Sequence, residues 1–183
     1  MTWTIDSIKY SLPLILLIQL EFTPGCRIID LFSSRFSFHS FNKCSDETCS
    51  HQLDEMIIVS SENPSHTLVI TDASIKNNVA TSIAHVYIHN RPVVKTLHHA
   101  VNVNSIEAKL FAIRCGINQA TNSMRVLKIV IITDSIHAAK KIFDLLLHLF
   151  QTHLASILCE LPKFFALNQD NSIEFWECPS RYN

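Results

Sequence analysis

Two aliphatic runs in this chain end in the same way. Leu68-Val69-Ile70 leads into Thr71 and Asp72, and Ile129-Val130-Ile131-Ile132 leads into Thr133 and Asp134. Short apolar runs closed by polar residues predict strands, and the nearly all-apolar stretch 126–134 predicts a central, parallel one. Between them, residues 79–89 are β-branched and aromatic, Asn90-Arg91-Pro92 punctuates the pattern, and residues 93–101 give a further strand. Three strands joined by short links predict an antiparallel meander. Asn104 and Glu107 have the form of a capping box, and Ala108, Phe111, Ala112 and Cys115 fall on one helical face. Ser135 is placed to cap a second helix, a third surrounds Pro162, and residues 172–179 read as a last strand. The predicted order from residue 67 is β-β-β-α-β-α-β. A strand–helix–strand crossover is right-handed and parallel, so the first and fourth strands are expected side by side.

The first 66 residues read differently. An apolar run over residues 10–20 is too short to span a bilayer and is closed by Gln19 and Glu21, so no membrane association is expected. A Thr-Pro-Gly turn follows, then a Ser- and Phe-rich stretch that alternates weakly. Residues 42–55 are polar, as in a loop or short helix, and the Ser/Asn/Pro-rich residues 60–66 mark a boundary. The expected organisation is an N-terminal connection segment, 1–66, and a folded domain, 67–183.

Composition narrows the chemistry. With 15 Lys+Arg against 16 Asp+Glu the formal net charge is -1, so no long-range attraction draws nucleic acid to the chain. Gly25 and Gly116 are its 2 glycines, which excludes phosphate-cradling glycine loops and the strained turn of a serine hydrolase. The 6 cysteines are scattered rather than packed as a disulfide framework, and reduced thiols inside a cell are expected. Cys44, Cys49 and His51 have partial zinc spacing without a second pair, and read as a polar loop with incidental cysteines.

The repeated strand-acid phrase carries the strongest signal. If the first and fourth strands are parallel neighbours, Asp72 and Asp134 emerge at one sheet edge on strands roughly 4.8 Å apart. Carboxylates that close repel unless a cation lies between them, and hard oxygen ligands favour Mg²⁺ or Mn²⁺. Glu107, in the first turn of the intervening helix, is positioned to reach the same edge. Three such carboxylates describe a site for metal-assisted phosphoryl transfer with water as nucleophile. Each acid also has a plainer use: a turn for Asp72, a helix start for Asp134, a cap for Glu107.

The runs VITDASIKNNVATSI, SIEAKLFAIRCGINQA, IVIITDSIHAAKKIFD and IEFWECPSR, within residues 67–181, resemble the ribonuclease H domain. They are most similar to that of reverse transcriptases from fungal non-LTR retroelements. The resemblance implies an α/β fold: a five-stranded mixed sheet, antiparallel over strands 1–3 and parallel over strands 1, 4 and 5, with flanking helices. It also implies an endonuclease that hydrolyses the RNA strand of RNA–DNA hybrids, a polymerase domain as partner, and Asp72, Glu107 and Asp134 as metal-binding catalytic residues. The family's fourth carboxylate lies on a helix beyond the last strand. This chain stops at Asn183 before any such residue, as expected of a C-terminally truncated domain, and Asp170 belongs to the opposite end of the sheet. Lys109 stands where related elements often have an acid. These departures imply an alternative, a catalytically inactive ribonuclease H-like fragment serving as a nucleic-acid or protein interaction module.

Overall fold

The computed structural model describes residues 32–40, 46–89, 91–122, 126–143 and 152–178. The apolar run over residues 10–20 and Cys44 lie outside them. The strands are β1 (Phe36–His39), β2 (His66–Lys76), β3 (Val79–Ile88), β4 (Arg91–Val101), β5 (Lys128–Thr133) and β6 (Ser172–Glu177). The helices are α1 (Asp46–Glu62), α2 (Ser105–Thr121), α3 (Ile136–Phe143) and α4 (Thr152–Leu167). They build one sheet in the order β1-β6-β5-β2-β3-β4. The meander β2-β3-β4 is antiparallel, whereas β2-β5, β5-β6 and β6-β1 are parallel. The α/β class, the mixed sheet and the central place of the two aliphatic strands are therefore as expected.

The sheet has six strands rather than five. The extra one, β1, comes from the N-terminal segment and pairs with β6 from Phe36↔Ile173 to His39↔Trp176. Phe36 packs edge-on against Phe165, and Phe38 stacks on Phe175 at 5.3 Å. Four residues are too few for alternation to declare a strand, so aromatic packing from distant elements decides it. The same segment supplies α1, which buries Cys49, Leu53 and Met56 at helical spacing.

Alternation along the central strands divides the interior into two layers. Val69, Ile129, Ile131, Ile173 and Phe175 face α2, α3 and α4, with Ile113, Ile117, Leu161 and Phe165 among their neighbours. Leu68, Val130 and Ile132 face the other way, against α1. The apolar face of α2 is rotated from the expected one. Leu110, Ala112, Ile113, Gly116, Ile117 and Ala120 are buried, while Phe111 and Cys115 are half-buried. Leu110, Ile113 and Ile117 take the core, and Phe111 instead stacks on His98 of β4 at 4.0 Å.

Gly116 fixes how closely α2 approaches the sheet. A Cβ there would lie 2.3 Å from Val69 Cγ1, within a fully buried cluster. Alanine favours a helix interior over glycine by about 1 kcal/mol, but overpacking a dense core costs about 1–3 kcal/mol. Gly116→Ala is therefore expected to lower the urea midpoint of unfolding with an unchanged m-value; a raised midpoint would show that Val69 moves aside freely.

Candidate acidic site at the sheet edge

Parallel pairing of β2 and β5 ends at Thr71↔Thr133. Asp72 and Asp134 are each the next residue, so both arrive at one edge, in step with Ile70 and Ile132. Local hydrogen bonds shape this end of the sheet. Thr71 Oγ1 donates to the Ile132 carbonyl at 3.2 Å. Ser135 N–H donates to Thr133 Oγ1 at 3.2 Å, and Ser135 Oγ accepts from Ala138 N–H at 3.3 Å, which starts α3 as expected. Asp72 Oδ1 accepts from the N–H of Ala73 at 2.7 Å.

Small residues bring the start of α2 to the same region. Ala73, Ala80 and Ala108 pack together, and Ser82 Oγ donates to the Ala108 carbonyl at 2.8 Å. The next residue, Lys109, donates from Nζ to Asp134 Oδ2. Both side chains are largely shielded, at 18% and 13% exposure. Asp134 Oδ1 is buried and has no hydrogen-bond partner among the described residues. One carboxylate oxygen is thus neutralised, while the other is left unsatisfied at some cost.

Glu107 has a different use. Its Oε2 accepts from Asn104 N–H at 3.0 Å, and Asn104 Oδ1 accepts from Glu107 N–H at 2.9 Å. The expected capping box is complete. The expected convergence of three carboxylates is not: Asp72 and Asp134 share the edge, and the Glu107 carboxylate is turned into the cap. Among the described residues, no group of three His, Cys, Asp or Glu side chains is placed to hold a metal ion. Asp170, before β6, lies at the Lys128 end of the parallel strands, opposite the acids. His137 is exposed on the first turn of α3. Cys49 is buried under α1 and His51 is turned outward to Glu55, so these two do not face one ion.

Two features of the edge escaped sequence reasoning, the place of Cys178 and the bond made by Lys109. Cys178 follows β6, and its N–H donates to the Thr133 carbonyl at 2.8 Å. Burial pushes its thiol up, and the negative charges of Asp134 and then Asp72 push in the same direction. Lys109 supplies the other. Its place beside Glu107 was visible, but its bond to Asp134 depends on how α2 sits against β5.

The donor chemistry at this edge suits a hard divalent cation in part. Asp72 and Asp134 offer carboxylate oxygens, one of them buried without a partner, and the Lys109 ammonium stands in as the positive charge the edge calls for. Glu107 offers less, because its Oε2 is held by the Asn104 N–H in the capping box.

No protein-family model and no curated protein sequence matches the chain. Solved structures do. The chain superposes on LC11-RNase H1, isolated from compost and solved with an RNA/DNA hybrid, with TM-score 0.50 at 10% identity, covering 64% of this chain and 88% of that one. The N-terminal RNase H domain of a Mycobacterium tuberculosis protein gives 0.48 at 12%, covering 64% and 89%. The protease-reverse transcriptase of prototype foamy virus gives 0.46 at 15%, covering 62% of this chain and 18% of that one. The mixed sheet, its antiparallel β2-β3-β4 meander and its flanking helices are those of the ribonuclease H fold.

The electrostatics of the edge are open to measurement through Cys178. A carboxylate nearby disfavours the thiolate, which is the reactive form. Asp134→Asn is expected to lower the thiol pKa and to speed alkylation of Cys178 at mildly alkaline pH, followed by peptide mass spectrometry. Asp72→Asn should act in the same direction. Unchanged rates in both variants would mean that the acids do not border the thiol.

Proposed function

We propose that the chain is a ribonuclease H-type domain of a retroelement reverse transcriptase, hydrolysing the RNA strand of RNA–DNA hybrids with Mg²⁺ or Mn²⁺. The observation that carries this reading is the placement of Asp72 and Asp134 one residue past Thr71↔Thr133, on adjacent parallel strands of a ribonuclease H fold. In this reading Asp72 and Asp134 hold the cation, and Glu107 joins them on leaving its cap. A divalent cation at such a site supplies Lewis acidity toward a phosphodiester and a water nucleophile at neutral pH. The protein's own contribution is orientation. The β2–β5 register levels the two aspartates, and the small-residue contact of Ala73, Ala80 and Ala108 sets the helix start beside them.

With a formal net charge of -1, the domain has little electrostatic pull on a hybrid. The reading therefore includes a polymerase domain that delivers the substrate, and a place inside a cell, where scattered cysteines stay reduced.

A second reading is favoured by a specific observation. Lys109 on Asp134 and Glu107 in its capping box together leave no assembled cation cage among the described residues. That arrangement suits an inactive module that still contacts nucleic acid or a protein partner.

Incubation of an end-labelled RNA–DNA hybrid with the full chain and Mg²⁺ or Mn²⁺ separates the two. Hydrolysis is expected in the RNA strand only, and it should fall below detection in Asp72→Asn and Asp134→Asn. Hybrid binding in a gel-shift without cleavage would select the inactive module. Cleavage that survives both substitutions would remove the acidic edge from the mechanism.

A further inference from the structure

We propose that Lys109 is a built-in counter-ion that competes with a divalent cation for Asp134. The inference rests on reading the edge as cation-binding, and adds a residue that controls how readily the cation enters. Three observations carry it. Lys109 Nζ is bonded to Asp134 Oδ2 in a pair that is mostly out of solvent, where opposite charges are weakly screened. The other oxygen, Oδ1, is buried and unpartnered among the described residues, so the ammonium satisfies only part of the carboxylate. And nothing in the helix itself holds the ammonium there. Lys109 lies near the N-terminal end of α2, where the helix dipole disfavours cations, and its ion pair is with β5's end and not with its own helix.

The groups facing Lys109 and Asp134 complete the picture. Asp72 arrives from β2, the Cys178 thiol from the end of β6, and Glu107 from the same helix, where its carboxylate is engaged by Asn104. Of these carboxylates Asp72 and Asp134 stand outside the capping box, and Oδ2 of Asp134 is already bonded. A divalent ion gains Oδ2 of Asp134 only when Lys109 swings away, and Oδ1 is buried. If Lys109 is released about a tenth of the time, the apparent affinity falls about tenfold below that of the unobstructed site. Lys109 thus acts as a positioning residue on Asp134 and sets a threshold cation concentration.

The test reads cation affinity, not turnover. Mn²⁺ is titrated into the full chain by calorimetry, for wild type, Lys109→Gln, Lys109→Met and Lys109→Arg, with folding checked by circular dichroism. Lys109→Gln, or Lys109→Met should Gln fail to fold, is expected to bind Mn²⁺ about tenfold more tightly than wild type. Lys109→Arg, which keeps the charge, should bind as weakly as wild type. Adding Asp134→Asn to Lys109→Gln should abolish the gain. Equal or weaker binding in the neutral variants, or a gain that survives Asp134→Asn, would overturn the inference. The hydrolase reading fails separately: a Lys109→Gln chain that gains Mn²⁺ yet leaves the hybrid intact keeps Lys109 as competitor and removes turnover. A wild-type chain that cleaves while the neutral variants gain no affinity does the reverse.

Discussion

Everything at the acidic edge depends on the parallel pairing of β2 with β5. Both strands are apolar on both faces, with Leu68 and Val69 on one and Ile129, Val130, Ile131 and Ile132 on the other. Side chains alternate, so a slip of one residue would exchange the layers facing α1 and α2–α4. Burial on both sides therefore pins the register, and the register puts Thr71 beside Thr133. The acids that follow have no freedom to be elsewhere. A pairing driven by the hydrophobic effect thus delivers two like charges to one place, which costs free energy that surrounding groups must offset.

Those offsets define the chemistry of the edge. Asp72 takes a backbone N–H, Asp134 takes the Lys109 ammonium, and Glu107 is drawn into the helix cap. Each acid is stabilised by a partner close in sequence or close in the fold, and the repulsion expected between them is thereby reduced. Such local satisfaction favours folding of the chain without a ligand. It also explains how a ribonuclease H fold can present its acids at one edge without gathering them into a metal cage.

Much of this was legible in the sequence. The two aliphatic runs, the meander between them, the Asn104–Glu107 box and the Ser135 cap all announce themselves through local pattern, and each is found. What escaped detection is decided by tertiary contact. β1 is four residues long and exists because Phe36 and Phe38 find Phe165 and Phe175 more than a hundred positions away. The 17 residues of α1 begin in a polar stretch that hides its buried side, Cys49, Leu53 and Met56. In α2, apolar residues stand on more than one side of the helix, and Phe111 is drawn to His98 of β4 while Leu110, Ile113 and Ile117 are buried. The Lys109–Asp134 bond joins residues 25 apart in sequence. No local rule distinguishes an ammonium that will meet a carboxylate across a helix–sheet interface from one that will stay in water.

The two sheet faces also differ in what they leave open. α1 covers Leu68, Val130 and Ile132, with Trp176 and Cys178 at the margin of the same cluster. Toward the far edge of the sheet the cover ends, and Val93, Leu97 and Val101 of β4 are exposed. With the chain's charges nearly balanced, long-range electrostatic attraction contributes little. The Lys109–Asp134 ion pair is largely shielded from solvent, so the lysine that steadies the folded edge also sets the local charge there.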